Sequence, residues 1–137
     1  MKKFVALAFF TTAFAVLSAF NISAQEMMKK PETEKPIVAI VKADWCGYCK
    51  RIDSVVSKLM EDYGERLNFV VFDVTNDEAV NESMKKAEML GLGEFFTDFK
   101  NKTSTVAVLK NKEVVFKTSN NNNREKYVEA FEKVLKK

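Results

Sequence analysis

The two cysteines of this chain, Cys46 and Cys49, sit three positions apart in the stretch DWCGYCK. A pair so spaced can be a structural clamp, part of a metal site, or a dithiol that exchanges with other disulfides. At i and i+3 on a helix the Cα atoms lie about 5 to 6 Å apart, within disulfide range. A bond there closes almost no loop, so it restrains the unfolded chain little. Structural zinc takes four ligands, usually Cys and His, and this chain has two cysteines and no histidine. Two thiolates alone suit Cu(I), or a metal bridging two chains. The six methionines do not extend that set. Met27 and Met28 lie in a polar stretch, and Met60 and Met84 fall at core spacing on helices, where methionine is packing. The absence of histidine also removes Ser–His and Cys–His catalysis and any imidazole proton shuttle.

Local context favours exchange. The apolar run IVAIV (Ile37 to Val41) leads into KADWCGYC, and helical periodicity begins at once. A Cys46 near the N-cap faces the free N–H groups of Tyr48 and Cys49 at the positive end of the helix dipole. Such a thiol ionises below its usual value of about 8.5, and the thiolate is the nucleophile. Gly47 keeps the turn open to an approaching chain. Cys49, one turn in, is placed to attack a mixed disulfide formed by Cys46.

The elements that hold this pair can be read on either side. Ile37 to Val41 reads as a central strand buried on both faces. Ile52, Val55, Val56, Leu59, Met60 and Tyr63 mark one face of a helix that Gly64 ends. LNFVVFDV (Leu67 to Val74) is a second buried strand. Thr75 and Glu78 form a capping box for a helix through Val80, Met84, Ala87 and Leu90, closed by Gly91. Gly91 to Lys102 reads as a loop with at most one helical turn, its phenylalanines on the core. TVAVLK and EVVFKT, joined by Asn111-Lys112, form a hairpin. Asn123 caps a last helix with Val128, Phe131 and Leu135 on one face. The expected order is β-α-β-α-β-β-α: an α/β domain with a central four-stranded mixed sheet flanked by helices, its first two strands parallel.

Met1 to Lys3 is a short positive segment, and Phe4 to Phe20 is apolar without charge. Small Ala24 follows at a cleavage point, which is signal-peptide architecture; a retained anchor is the competing reading. The expected division is a signal peptide at 1–24, a polar tether at 25–36 and one domain at 37–137. The expected location is periplasmic or secreted. Without Lys2 and Lys3 the chain keeps twenty basic residues against nineteen acidic, a net +1 instead of +3. Such a balance gives no sign of nucleic-acid binding.

ADWCGYCK resembles the active-site stretch W-C-x-x-C-K of the thioredoxin family, and the element order matches that fold without its first strand and helix. The resemblance implies that Cys46 attacks, Cys49 resolves, and Trp45, Gly47 and Tyr48 flank the substrate groove. Trp45 also has a plainer reading, as a partly buried aromatic at a strand end. Three positions depart from the family pattern. Ser104 stands where the family has a cis-proline, so a trans or rearranged loop is expected, with Ser104 either a groove contact or a plain loop residue. Ile40 stands where the family has a buried acid. Tyr48 replaces the proline of W-C-G-P-C and adds an N–H beside Cys46; C-G-Y-C resembles the motif of bacterial periplasmic disulfide isomerases.

The function expected is an exported thiol–disulfide oxidoreductase, monomeric, acting on protein thiols and disulfides with no cofactor and renewed by a membrane-bound redox partner. The alternative is a non-catalytic binding module of the same fold, its two cysteines either holding Cu(I) or merely joined to each other.

Overall fold

The computed structural model describes residues 34–136. The expected signal peptide, and the tether up to residue 33, lie outside the described residues.

A strand with apolar side chains on both faces must sit in the middle of a covered sheet, and β1 (Ile37–Lys42) does. The sheet order is β2-β1-β3-β4, with β2 (Asn68–Asp73), β3 (Thr105–Lys110) and β4 (Glu113–Ser119). β1 and β2 are parallel and joined through α1 (Gly47–Tyr63); β3 runs antiparallel to both β1 and β4. The β3–β4 hairpin turns through Asn111 and Lys112, at φ 52° and 68°, the double positive φ that a tight two-residue hairpin requires.

The period-two alternation of side chains then builds two cores. Val38, Ile40, Val106 and Val108 face Ile52, Val56, Leu59 and Tyr63 of α1, and Tyr127, Phe131 and Val134 of α4 (Arg124–Leu135). On the opposite face Ala39 pairs with Ala107. These small side chains leave room for Phe72, Phe95 and Phe96, and for Ala87 of α2 (Asp77–Met89). The Phe72 and Phe96 rings lie 5.2 Å apart between centroids. Cys46 and Cys49 belong to this second core.

Three expectations need correction. The order has one more helix than expected, α3 (Gly93–Phe99), because Phe95, Phe96 and Phe99 form one apolar helical face despite the loop-like glycines around them. Gly91, at φ +68°, turns α2 into α3. The cap of α2 is Asn76, whose side chain accepts from the Ala79 amide; Thr75 is committed elsewhere. Val128, Phe131 and Leu135 of α4 pack on one core as expected, joined there by Tyr127, whose hydroxyl donates to the Asn121 carbonyl at 2.6 Å. Met60 is exposed. Asn123 caps α4 as expected.

The outer edge of β2 is blunted from α2. Ser83 donates to the Asp73 carbonyl at 2.8 Å and Lys86 to the Val71 carbonyl at 3.1 Å. Such cover suppresses strand addition at a free edge.

Candidate active site

The register decides what meets at one end of the sheet. Lys42 ends β1 opposite Asp73 of the parallel β2, while Val41 pairs with Thr105 at the start of β3 and Thr105 with Ser119 at the end of β4. The loops that follow or precede those residues therefore gather around Cys46.

Cys46 is the N-cap of α1, in extended conformation, with its sulfur accepting from the Cys49 amide at 3.1 Å. The two cysteines are joined as a disulfide, their Cα atoms 5.3 Å apart. Of the two amides expected at the sulfur, Cys49 donates, and no such bond is formed by Tyr48. This is the ordinary reach of an N-cap side chain, toward the third residue of the helix. The first turn carries no acidic side chain, so nothing there offsets the positive end of the dipole.

Access to the sulfur is narrower than the sequence suggests. Cys46 is 4 % exposed and Cys49 8 % in the disulfide form. The open side is at Gly47, where a Cβ would meet nothing within 4 Å. Trp45 (65 % exposed) and Tyr48 (51 %), close by in the chain, are both exposed. The reading of Trp45 as a partly buried strand-end aromatic is thereby corrected. The Tyr48 ring is covered by the Arg51 guanidinium, 4.9 Å from its centroid.

Trp45 is held by its indole N–H, which donates to the Thr75 carbonyl at 3.0 Å. The Thr75 hydroxyl accepts the Asp44 amide at 3.0 Å and gives its own proton to Asp73 Oδ1. Asp73 Oδ1 also accepts the Thr75 amide at 2.8 Å. The Thr75 hydrogen bonds hold the Asp73 carboxyl below its ordinary value, with help from Lys42 and Lys86 and against partial burial. Thr75 and Asp73 thus fix the turn that carries Cys46. Sequence reasoning spent Thr75 on a helix cap; the usable signal was an acid and a hydroxyl residue ending a strand parallel to β1.

Ser104 lies at the same end of the sheet, buried (4 % exposed) with φ +61°. Its carbonyl accepts the Asn120 amide at 3.3 Å. The described residues contain no cis peptide bond. Ile40 is buried among apolar neighbours beneath α1, without a carboxylate. A cleft of about 450 Å³ opens beside it, lined by Lys42, Asp44, Cys49, Lys50 and Asp53 among others. The described residues contain no group of three or more His, Cys, Asp and Glu side chains able to hold a metal ion.

A family model described as Thioredoxin matches residues 18–133. A thioredoxin H-type of Chlamydomonas reinhardtii is 38 % identical over 58 residues, which is 42 % of this chain and 51 % of that protein. The thiol:disulfide interchange protein TxlA of Synechococcus elongatus is 33 % identical over 49 residues, 36 % of this chain and 26 % of that one. The matches thus span about half or less of these curated relatives. Among solved structures, the germline-specific thioredoxin Deadhead of Drosophila melanogaster is similar at TM-score 0.51 and 22 % identity, over 73 % of this chain and 81 % of that one. A malarial protein is similar at TM-score 0.50 and 23 % identity, over 72 % and 96 %. These structures share the fold.

Proposed function

Because this chain belongs to the thioredoxin family, we propose that it is a thiol–disulfide oxidoreductase in which Cys46 attacks and Cys49 resolves. The observation that carries the reading is the Cys49 amide donating to the Cys46 sulfur at the start of α1. The same donor that touches the sulfur in the disulfide stabilises the anion once the bond opens, and the thiolate is what reacts.

In the reducing direction the Cys46 thiolate attacks one sulfur of a client disulfide, and the other client sulfur leaves as a thiolate. Cys49 loses its proton and attacks Cys46, so the client's remaining sulfur leaves and the Cys46–Cys49 bond forms. The client gains two electrons and this protein loses them; the reverse sequence oxidises a client. The approach runs over Gly47, between Trp45 and Tyr48, and we assign those side chains and the Ser104 loop to client binding.

Export is part of the proposal. It rests on the positive Met1–Lys3, the apolar Phe4–Phe20 and the small Ala24, a pattern that directs secretion. Outside the cytoplasm the dithiol requires a membrane-bound partner to reset its redox state. Purified protein is expected to catalyse insulin reduction by dithiothreitol, and Cys46→Ser to abolish it. Catalysis undiminished by that change would remove Cys46 from the mechanism.

A further inference from the structure

The pleat of β4 is interrupted once, and a pocket opens at the break. Phe116 pairs with Val108 and Val114 with Leu109, so Val115 is an extra residue in the ladder. Regular alternation would send Val115 and Phe116 to opposite faces of the sheet. The bulge instead turns both toward α4, where they line one pocket of about 320 Å³ with Ala130 and Val134. That volume lies at the small end of the range for small-molecule sites, roughly 300–1,000 Å³. Val134 is buried whereas Val115 is 55 % exposed, so the apolar floor is open to solvent at its β4 wall.

The rim of this pocket is predominantly positive. Lys110, Lys126 and Lys133 stand around the floor with Glu129, which leaves a net +2. Glu129 neighbours both Lys126 and Lys133 by helical spacing. Yet the ion pairs formed among the described residues are Arg66–Glu132 and Arg124–Asp62, and neither involves the rim. Lys110 donates to the Val134 carbonyl at 3.3 Å, which holds its ammonium against the last turn of α4. Two copies of such a face repel each other, and so does a cationic ligand, whereas an anion is drawn in. Ammonium groups act as point charges without a fork geometry, so a carboxylate and a phosphate suit them alike.

We propose that this pocket binds a free amphipathic anion with a single aliphatic tail. The tail lies along Val115, Phe116, Ala130 and Val134, and the carboxylate or phosphate head meets Lys126 and Lys133. One tail is as much as the volume takes, which favours a dissolved amphiphile over the surface of a bilayer. The disulfide belongs to the core on the other face of the sheet, so the site is separate from the exchange chemistry and the proposal does not rest on it. Were the pocket only a gap shielded by lysine stems, charged and neutral tails would bind equally poorly.

The test follows the backbone amide signals of the full-length protein by two-dimensional NMR during titration with sodium decanoate. Shifts are expected at Val115, Phe116 and residues 126–134, saturating below about 1 mM. Decanol, with the same tail and no charge, is expected to bind about tenfold more weakly, and decylamine not to bind. Lys126 and Lys133 are exposed, so reversing both leaves the fold intact, which the rest of the spectrum checks. Lys126→Glu combined with Lys133→Glu is expected to weaken decanoate by about tenfold or more. No saturation by about 1 mM, shifts centred elsewhere, or equal affinity for decanoate and decanol overturns the proposal. So does a decanoate affinity that survives the double reversal. Binding to phosphatidylglycerol vesicles without binding to decanoate overturns it as well, and assigns the patch to a membrane surface.

Discussion

Ser104 offers the sharpest test of how the active-site end is built. It is buried and sits at φ +61°, a conformation that costs an L-residue about 1–2 kcal/mol. Glycine removes that strain but loosens the unfolded chain by about 0.5–1 kcal/mol. Ser104→Gly should therefore be neutral or stabilising by up to about 1 kcal/mol. Proline is different, because its ring holds φ near −65° and the turn must be rebuilt. Two hydrogen bonds are then at risk, Asn120 amide to Ser104 carbonyl at 3.3 Å and Thr105 hydroxyl to Lys102 carbonyl at 2.7 Å. At about 1 kcal/mol each, plus the displaced backbone, Ser104→Pro should cost about 2–4 kcal/mol. For a domain of this size that is a fall in Tm of roughly 10–20 °C. Thermal unfolding of the oxidised proteins, followed by circular dichroism, measures both variants. A Ser104→Pro protein melting within about 3 °C of wild type, or a Ser104→Gly protein melting well below it, would refute the reasoning.

Three further outcomes are expected. Thr75→Val removes the hydroxyl between Asp44 and Asp73 and should cost about 1–2 kcal/mol in urea unfolding, with the indole bond to the Thr75 carbonyl retained. Because the Asp73 carboxyl lies below its ordinary 3.8 in the folded protein, its contribution is present above that value and is lost as pH falls below it; the stability difference between wild type and Asp73→Asn should shrink across that acid range. The Cys46–Cys49 couple should be more oxidising than a dithiol whose attacking thiol lacks such a donor, since the helix start favours the Cys46 thiolate with no acid in the first turn; equilibration with a glutathione redox buffer measures it.

Chemistry and architecture were legible in the chain to different depths. The two cysteines, their place at a strand-to-helix junction and the central strand Ile37–Lys42 follow from local pattern, because residue types and periodicity act over a few positions. The I′-type turn at Asn111-Lys112 and the Asn123 cap are local for the same reason. α3 was hidden, since glycines and scattered phenylalanines look like a loop until a sheet face is there to receive Phe95 and Phe96. Thr75 was misread because its capping signature was locally valid, while its partners Asp44 and Trp45 lie about thirty positions away. The sequence alone determined which atoms can react. Only the packed sheet decided what surrounds them: the Asp73–Thr75 brace, the buried Ser104, and the cleft beside Cys49. Strand register brings those groups to one end, and register is a property of the whole sheet rather than of any segment in it.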